Sequence, residues 1–295
     1  PGPDLRHLCP DALPDRRPAG HHLDAAVGCQ ADHGFVGRTQ AALFHEESDT
    51  QADALASRSA RGERLPLLLD PEMAQEPVEQ IYKLVQVWTD RFRELSALEF
   101  VKYVFIFENK GEAIGVTLHH PHGQIYAYPF VPPRVQKELD ESKKHFDATG
   151  KCLLCTIIEK ELTFGGRIVT ENQSFAAYIP FFARYPYELH IASKRHLGDM
   201  TQFSKAEQLD LAETMKQVLV GFDKLFNISF PYMMVIHQQP SDGGDHGHYH
   251  FHIEFYPPLR TATKLKYLAG SESGAGLFIN DTLAEEKAAE LRALI

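Results

Sequence analysis

Ile81, Leu84, Val85, Trp88, Phe92 and Leu95 recur three, four or seven positions apart, a spacing that predicts a helix from about Pro77 to Leu95 with one buried face. The aromatic and β-branched run Tyr103-Val104-Phe105-Ile106-Phe107 predicts a buried strand. Glu108-Asn109-Lys110-Gly111 reads as the turn out of it, and the next strand should deliver His120 and His122 and end at Pro132-Pro133. A polar helix follows from about Arg134 to Phe146, then a hairpin within Arg167 to Ile179 turning at Glu171-Asn172-Gln173, then a strand over Pro186 to Ala192. Ser204 with Glu207 forms a capping box for a long helix to about Phe226, apolar at Leu211, Met215, Leu219, Phe222 and Leu225. A strand over Pro231 to His237 and a glycine-rich loop complete this pattern.

The segment His248-Tyr249-His250-Phe251-His252-Ile253-Glu254-Phe255 alternates strictly. In an extended strand His248, His250, His252 and Glu254 share one face, and Tyr249, Phe251, Ile253 and Phe255 the other. The order helix, strand, His-x-His, then Phe-x-Pro-Pro occurs twice, with His120/His122 in the first copy and His250/His252 in the second. The chain therefore reads as two copies of one module. Gln124 of the first copy corresponds to Glu254 of the second. Short antiparallel strands with interspersed helices make the fold class α+β.

Composition changes this picture at one end. The chain has 295 residues, 43% of them hydrophobic, enough for a sizeable core. Residues 1 to 70, however, contain no Lys, Ile, Asn, Tyr, Trp or Met, and their aromatics are Phe35 and Phe44 alone. No apolar period runs through them, and such a stretch does not offset its ordering entropy. Out-of-frame reading of a GC-rich gene and a disordered extension both account for it. The expected organisation is thus an anomalous segment at 1–70, an incomplete first module at 71–146 and a second module at 147–295. The formal charge of −10 argues against a nucleic-acid partner. No stretch has the ~20 apolar residues of a membrane span and no leader opens the chain, so a cytoplasmic protein is expected.

Candidate chemistry gathers at two places. In Thr117-Leu118-His119-His120-Pro121-His122-Gly123-Gln124 two imidazoles flank a stiff proline, and the following glycine admits a phosphate close to the main chain. A neutral histidine whose tautomer is fixed can attack phosphorus. Cys152-Leu-Leu-Cys155 has the spacing of a metal knuckle; a redox dithiol or two ordinary buried thiols are the alternatives.

Phe107-Glu108-Asn109-Lys110-Gly111 followed by His120-Pro121-His122-Gly123-Gln124 resembles the galactose-1-phosphate uridylyltransferase family, the transferase branch of the histidine-triad superfamily, and the resemblance runs from about Pro71 to the C-terminus. It implies tandem histidine-triad-like modules whose antiparallel sheets join, with flanking helices. It also implies UMP exchange between UDP-glucose and galactose 1-phosphate, the Leloir-pathway step, with His122 as the nucleophile that carries the uridylyl group. Gln124 would donate to the nonbridging phosphate oxygens, and Thr117 and Asn109 would help hold phosphates and nucleotide. Lys266 and Glu272 match the segment that reaches the hexose phosphate, often across a homodimer interface. Cys152, Cys155, His196 and His250 would form a closed structural zinc site, and Glu138, His237, His252 and Glu254 match a second metal position. The first cysteine knuckle of the family, which would pair with His120, has no counterpart around Cys9 or Cys29. Competing readings are a nucleotidyl-sugar phosphorylase or hydrolase of the same superfamily, or a catalytically impaired zinc-binding relative; Gln124 favours the transferase, since the hydrolases carry a histidine there.

Overall fold

The structure, a computed structural model, describes residues 73–116 and 122–295, with the backbone alone at His122. The anomalous segment, Thr117 and His120 lie outside the described residues.

The expected helix forms as α1 (Val78–Ser96), with Ile81, Val85, Trp88 and Phe92 buried along one face. β1 (Tyr103–Lys110) and β2 (His122–Tyr128) follow, then α2 (Pro133–Thr149) and α3 (Leu153–Phe164). Pro133 therefore opens a helix rather than only closing a strand, because its fixed φ and missing N–H suit the first helical position. β3 (Ile168–Glu171), β4 (Phe175–Tyr178) and β5 (Leu189–Ser193) come next. The β3–β4 turn is where the sequence put it: the Asn172 side chain accepts from the Ser174 and Phe175 backbone N–H groups and locks the corner.

α4 (Lys205–Leu225) starts at the predicted capping box, with the Ser204 and Glu207 side chains each bonded to the other's backbone; such a cap contributes about 1 kcal/mol. β6 (Tyr232–His237) and β7 (His252–Tyr256) lead to the short pair β8 (Leu259–Thr261) and β9 (Lys264–Leu265), then α5 (Gly270–Ala275) and α6 (Ala284–Arg292).

Among the described residues seven strands form one antiparallel sheet in the order β2-β1-β6-β7-β5-β4-β3, so both sequence copies contribute to a single sheet joined where β1 pairs with β6. One face carries the main core: Ile81, Val85, Trp88 and Phe92 of α1 and Leu211, Met215, Val218 and Phe222 of α4 cover Val104, Ile106, Met234, Ile236, Ile253 and Phe255. Burying each such side chain contributes about 1.5–3 kcal/mol. On the opposite face α3 lies over Ala176, Tyr178 and Ala192, and Val135 and Leu139 of α2 pack with Tyr103 and Tyr249.

Two sequence expectations are corrected. β1 runs on through Glu108 and Lys110, which were expected in a turn. Both are buried and face distant partners: the Tyr232 hydroxyl donates to Glu108 at 2.6 Å, and Lys110 meets Asp223 at 2.9 Å. The turn falls at Gly111, whose φ of +98° and 2.8 Å approach of Pro231 to a would-be Cβ admit only glycine. The second correction concerns His248 to Phe251, which precede the strand rather than forming it. Phe251 joins the main core as expected, but Tyr249 turns to the other side of the sheet, where its hydroxyl donates to Glu138 at 2.9 Å.

Glu108 carries a pH dependence. Burial pushes its carboxyl up to about 7, against the pull of Tyr232 and Lys110. The folded chain therefore holds this proton where the unfolded chain has lost it. Stability should fall as pH rises from about 4.5 to about 7, by up to about 3 kcal/mol, and then level off. Glu108→Gln should remove that slope, so its advantage over wild type in urea unfolding should grow between pH 5 and pH 8. A difference independent of pH would refute the assignment.

Candidate active site and metal centre

The β1–β2 ladder positions the histidine motif. Asn109 lies opposite His122, Phe107 opposite Gln124, Phe105 opposite Tyr126 and Tyr103 opposite Tyr128. Directly opposed residues share a face, so His122, Gln124 and Asn109 stand on the sheet face away from α1 and α4. Their neighbours are aromatic: Phe107 meets Tyr126 edge-on at 5.0 Å and stacks on Phe105 at 5.2 Å. The result is two carboxamide groups, Asn109 and Gln124, beside an apolar floor at the strand position where the backbone of His122 pairs. Such a surface suits a base or sugar ring next to a phosphate.

The metal centre assembles from three separate segments. Cys152 is the N-cap of α3 and Cys155 lies in its first turn, where the helix dipole favours thiolates. His196 follows β5 and His250 precedes β7. All four ligand atoms lie within 4.8 Å of one another. Cys155 Sγ is 3.4 Å from His196 Nδ1 and 3.3 Å from His250 Nδ1, and Cys152 Sγ is 3.7 Å from His250 Nδ1. The other nitrogen of His250, Nε2, is 2.9 Å from the Ser193 carbonyl oxygen. A carbonyl can only accept, so Nε2 carries the proton and Nδ1 turns its lone pair to the thiols. The hydrogen bond from the Cys155 thiol outweighs burial and holds the Cys152 thiol down at about 3, while the same contact and burial push Cys155 up. The donor set, two sulfurs and two correctly oriented nitrogens, fits a tetrahedral metal with no open position.

A second cluster brings together Glu138 of α2, His237 at the end of β6 and His252 at the start of β7. His237 Nδ1 is 2.7 Å from Glu138 Oε2. Burial opposes the charge of this imidazole, but Glu138 and Glu254 prevail and raise its pKa. His252 Nδ1 donates to the His250 carbonyl at 2.9 Å, which leaves Nε2 facing Glu254 Oε1 at 3.6 Å.

Glu254, the fourth residue expected here, turns instead into an ion network. Its Oε2 receives Arg134 at 3.1 Å and Arg184 at 3.4 Å, and its Oε1 is 3.4 Å from His190 Nε2. Burial works against its ionisation, yet His190, His237 and His252 hold the carboxyl well below the usual range. Arg184 also grips Glu188 through Nε and Nη2 at 3.1 and 2.7 Å.

Lys266 and Glu272 do meet, at 3.2 Å, and both side chains are buried. Lys266 also donates to the Ile279 carbonyl at 2.6 Å, and Glu272 accepts the Ile279 and Ala269 N–H groups. They close the segment on itself, and two of the three N–H groups of the ammonium are thereby used.

Residues 45–132 match the N-terminal domain of galactose-1-phosphate uridyl transferase, and residues 138–295 match its C-terminal domain. The galactose-1-phosphate uridylyltransferase of Thermotoga maritima is 46% identical over 217 residues, 73% of this chain and 68% of that protein. The chain belongs to the galactose-1-phosphate uridylyltransferase family. A solved uridylyltransferase structure is 40% identical with a TM-score of 0.73, over 78% of this chain and 72% of that one. An ADP-glucose phosphorylase from Arabidopsis thaliana, solved with bound ADP-glucose, is 26% identical with a TM-score of 0.68, over 77% of this chain and 70% of that one.

Galactose-1-phosphate uridylyltransferases are nucleotidyltransferases, and this chain is an enzyme of that class. The N-terminal match begins at residue 45, upstream of Pro71, where the resemblance in the sequence became legible. No helix among the described residues is long and apolar enough to cross a membrane. Sequence reasoning missed Arg134, Arg184, Glu188 and His190. The signal available for the last two was a Glu and a His beside or within a short run otherwise fit for burial, Tyr187 to Ala192.

Proposed function

We propose that this protein exchanges UMP between UDP-glucose and galactose 1-phosphate through a covalent uridylyl-histidine on His122. The observation that carries the reading is the β1–β2 register, which sets His122 beside Asn109 with Gln124 on the same face, in a chain of this family. An imidazole nitrogen of His122 would form a bond to the α-phosphorus as the bond to glucose 1-phosphate breaks. The phosphate oxygen of galactose 1-phosphate would then take the uridylyl group and release the imidazole. Gln124 would donate from its amide to the nonbridging oxygens where charge builds up, and Thr117 and Asn109 would help hold phosphates and nucleotide. Lys266, with one N–H direction left, would reach the hexose phosphate while Glu272 keeps its segment in shape.

Zinc is the metal that the Cys152, Cys155, His196 and His250 centre suits best. Held there, it would supply no chemistry; it would tie the start of α3 to the ends of β5 and β7. A homodimer is supported by the outward apolar side chains of the segment that holds Lys266: Tyr267, Leu268, Leu277, Ile279 and Leu283 are all exposed. Reduced thiols and soluble sugar phosphates suit a cytoplasmic setting. The two-module organisation, with an incomplete first module, accords with the single joined sheet.

Intact mass after mixing with UDP-glucose alone, then peptide mapping, tests the reading. A uridylyl adduct on the His122 peptide, discharged by galactose 1-phosphate, is expected. The structural similarity to an ADP-glucose phosphorylase favours one second reading, in which inorganic phosphate discharges the adduct. No adduct in folded, zinc-loaded protein would mean a catalytically impaired relative.

A further inference from the structure

Glu138, His237 and His252 converge closely enough to hold a metal ion, yet every carboxylate around them is already matched by a positive group of the protein. Arg134 bridges the cluster. Its Nη2 lies 3.1 Å from Glu254 Oε2 and its Nε 3.5 Å from Glu138 Oε1, so one guanidinium spans the two carboxylates that flank the histidines. The same Nη2 donates to the Tyr256 hydroxyl at 2.8 Å, and Arg134 packs over that ring at 5.2 Å. Arg184 balances Glu188 and shares Glu254. Glu138 Oε2 is further engaged by His237 and by the Tyr249 hydroxyl. A divalent ion entering here would break the 2.7 Å Glu138–His237 contact and sit beside a fixed positive charge. That repulsion is strong at such range in a partly buried site.

We propose that Arg134 acts as a tethered cation in place of a second metal ion, and that its charge keeps divalent ions out of the Glu138, His237 and His252 cluster. The position allows a clean test. The Arg134 side chain is 47% exposed, so replacing it opens no core cavity, and Arg134→Met keeps an apolar stem over Tyr256.

The experiment adds Co(II) to the protein as purified and measures the bound ion by equilibrium dialysis and visible absorption. Wild type should bind the ion at this cluster only weakly, whereas Arg134→Met should bind one further equivalent at least roughly tenfold more tightly. That ion should show no thiolate-to-cobalt charge-transfer band. Arg134→Lys, which keeps the charge, should behave as wild type, and adding His237→Ala to Arg134→Met should abolish the uptake. The count assumes that zinc fills the cysteine centre. If that reading fails, Co(II) enters there and the charge-transfer band reports it separately. Equal uptake by wild type and Arg134→Met, no uptake by folded Arg134→Met, or uptake that survives loss of His237 would each overturn the proposal.

Discussion

His122→Ala is expected to lower uridylyl transfer by on the order of 10^4-fold or more, with UDP-glucose affinity changed little. The size follows from the role proposed for this residue. A nucleophile that forms the covalent intermediate is used in both half-reactions, so no partial route through it survives its loss. Binding, by contrast, would draw on Asn109, Gln124 and the Phe105 and Phe107 floor, which the substitution leaves in place. The measurement is single-turnover formation of the protein adduct, with UDP-glucose binding followed by calorimetry. Loss of binding together with the chemistry would point to a positioning role for His122. Retained adduct formation would move the nucleophile elsewhere.

The second large effect concerns stability. Cys155→Ser should cost the protein the zinc proposed for this centre and lower its thermal midpoint by about 10 °C or more, with a similar fall on chelation of the wild type. The ligands come from the start of α3, the segment after β5 and the segment before β7, so the centre joins pieces of chain nearly a hundred residues apart, as in the Cys155 to His250 contact. A structural metal contributes its binding energy to folding, and a loss of about 3 kcal/mol already corresponds to several degrees in a domain of this size. Differential scanning calorimetry with metal analysis decides the matter. A variant that loses zinc at an unchanged midpoint would show that the four side chains do not brace the fold.

Much of this arrangement could be read from local pattern. α1 followed from its period, α4 from its capping box, and the β3–β4 turn from Asn172, because in each case the determining contacts lie within a few residues. The Cys152-x-x-Cys155 spacing was legible as a knuckle, the resemblance added His196 and His250, and the fold brings the four ligand atoms within 4.8 Å of one another. What escaped was set by long-range pairing. Glu108 and Lys110 look like turn residues until Tyr232 and Asp223, more than a hundred positions on, meet them inside the sheet. Arg134 and Arg184 have the sequence signature of surface residues, and nothing local tells that Glu254 lies between them. Strict alternation from His248 onward implied a longer strand, but side-chain alternation does not require that the backbone be paired.

The junction between β1 and β6 has a consequence for how the chain is made. Ile106 pairs with Ile236, so the whole of β2 to α4 must leave the ribosome before β1 finds its inner neighbour. During that interval, on the order of ten seconds at ordinary translation rates, the β1–β2 hairpin has α1 available but lacks β6 and α4, which complete the cover of Val104, Ile106, Ile125 and Ala127. A two-stranded ribbon is barely stable alone. The nascent first half thus depends on chaperone protection or fast completion of synthesis, and translational pausing before Tyr232 should divert it to aggregates.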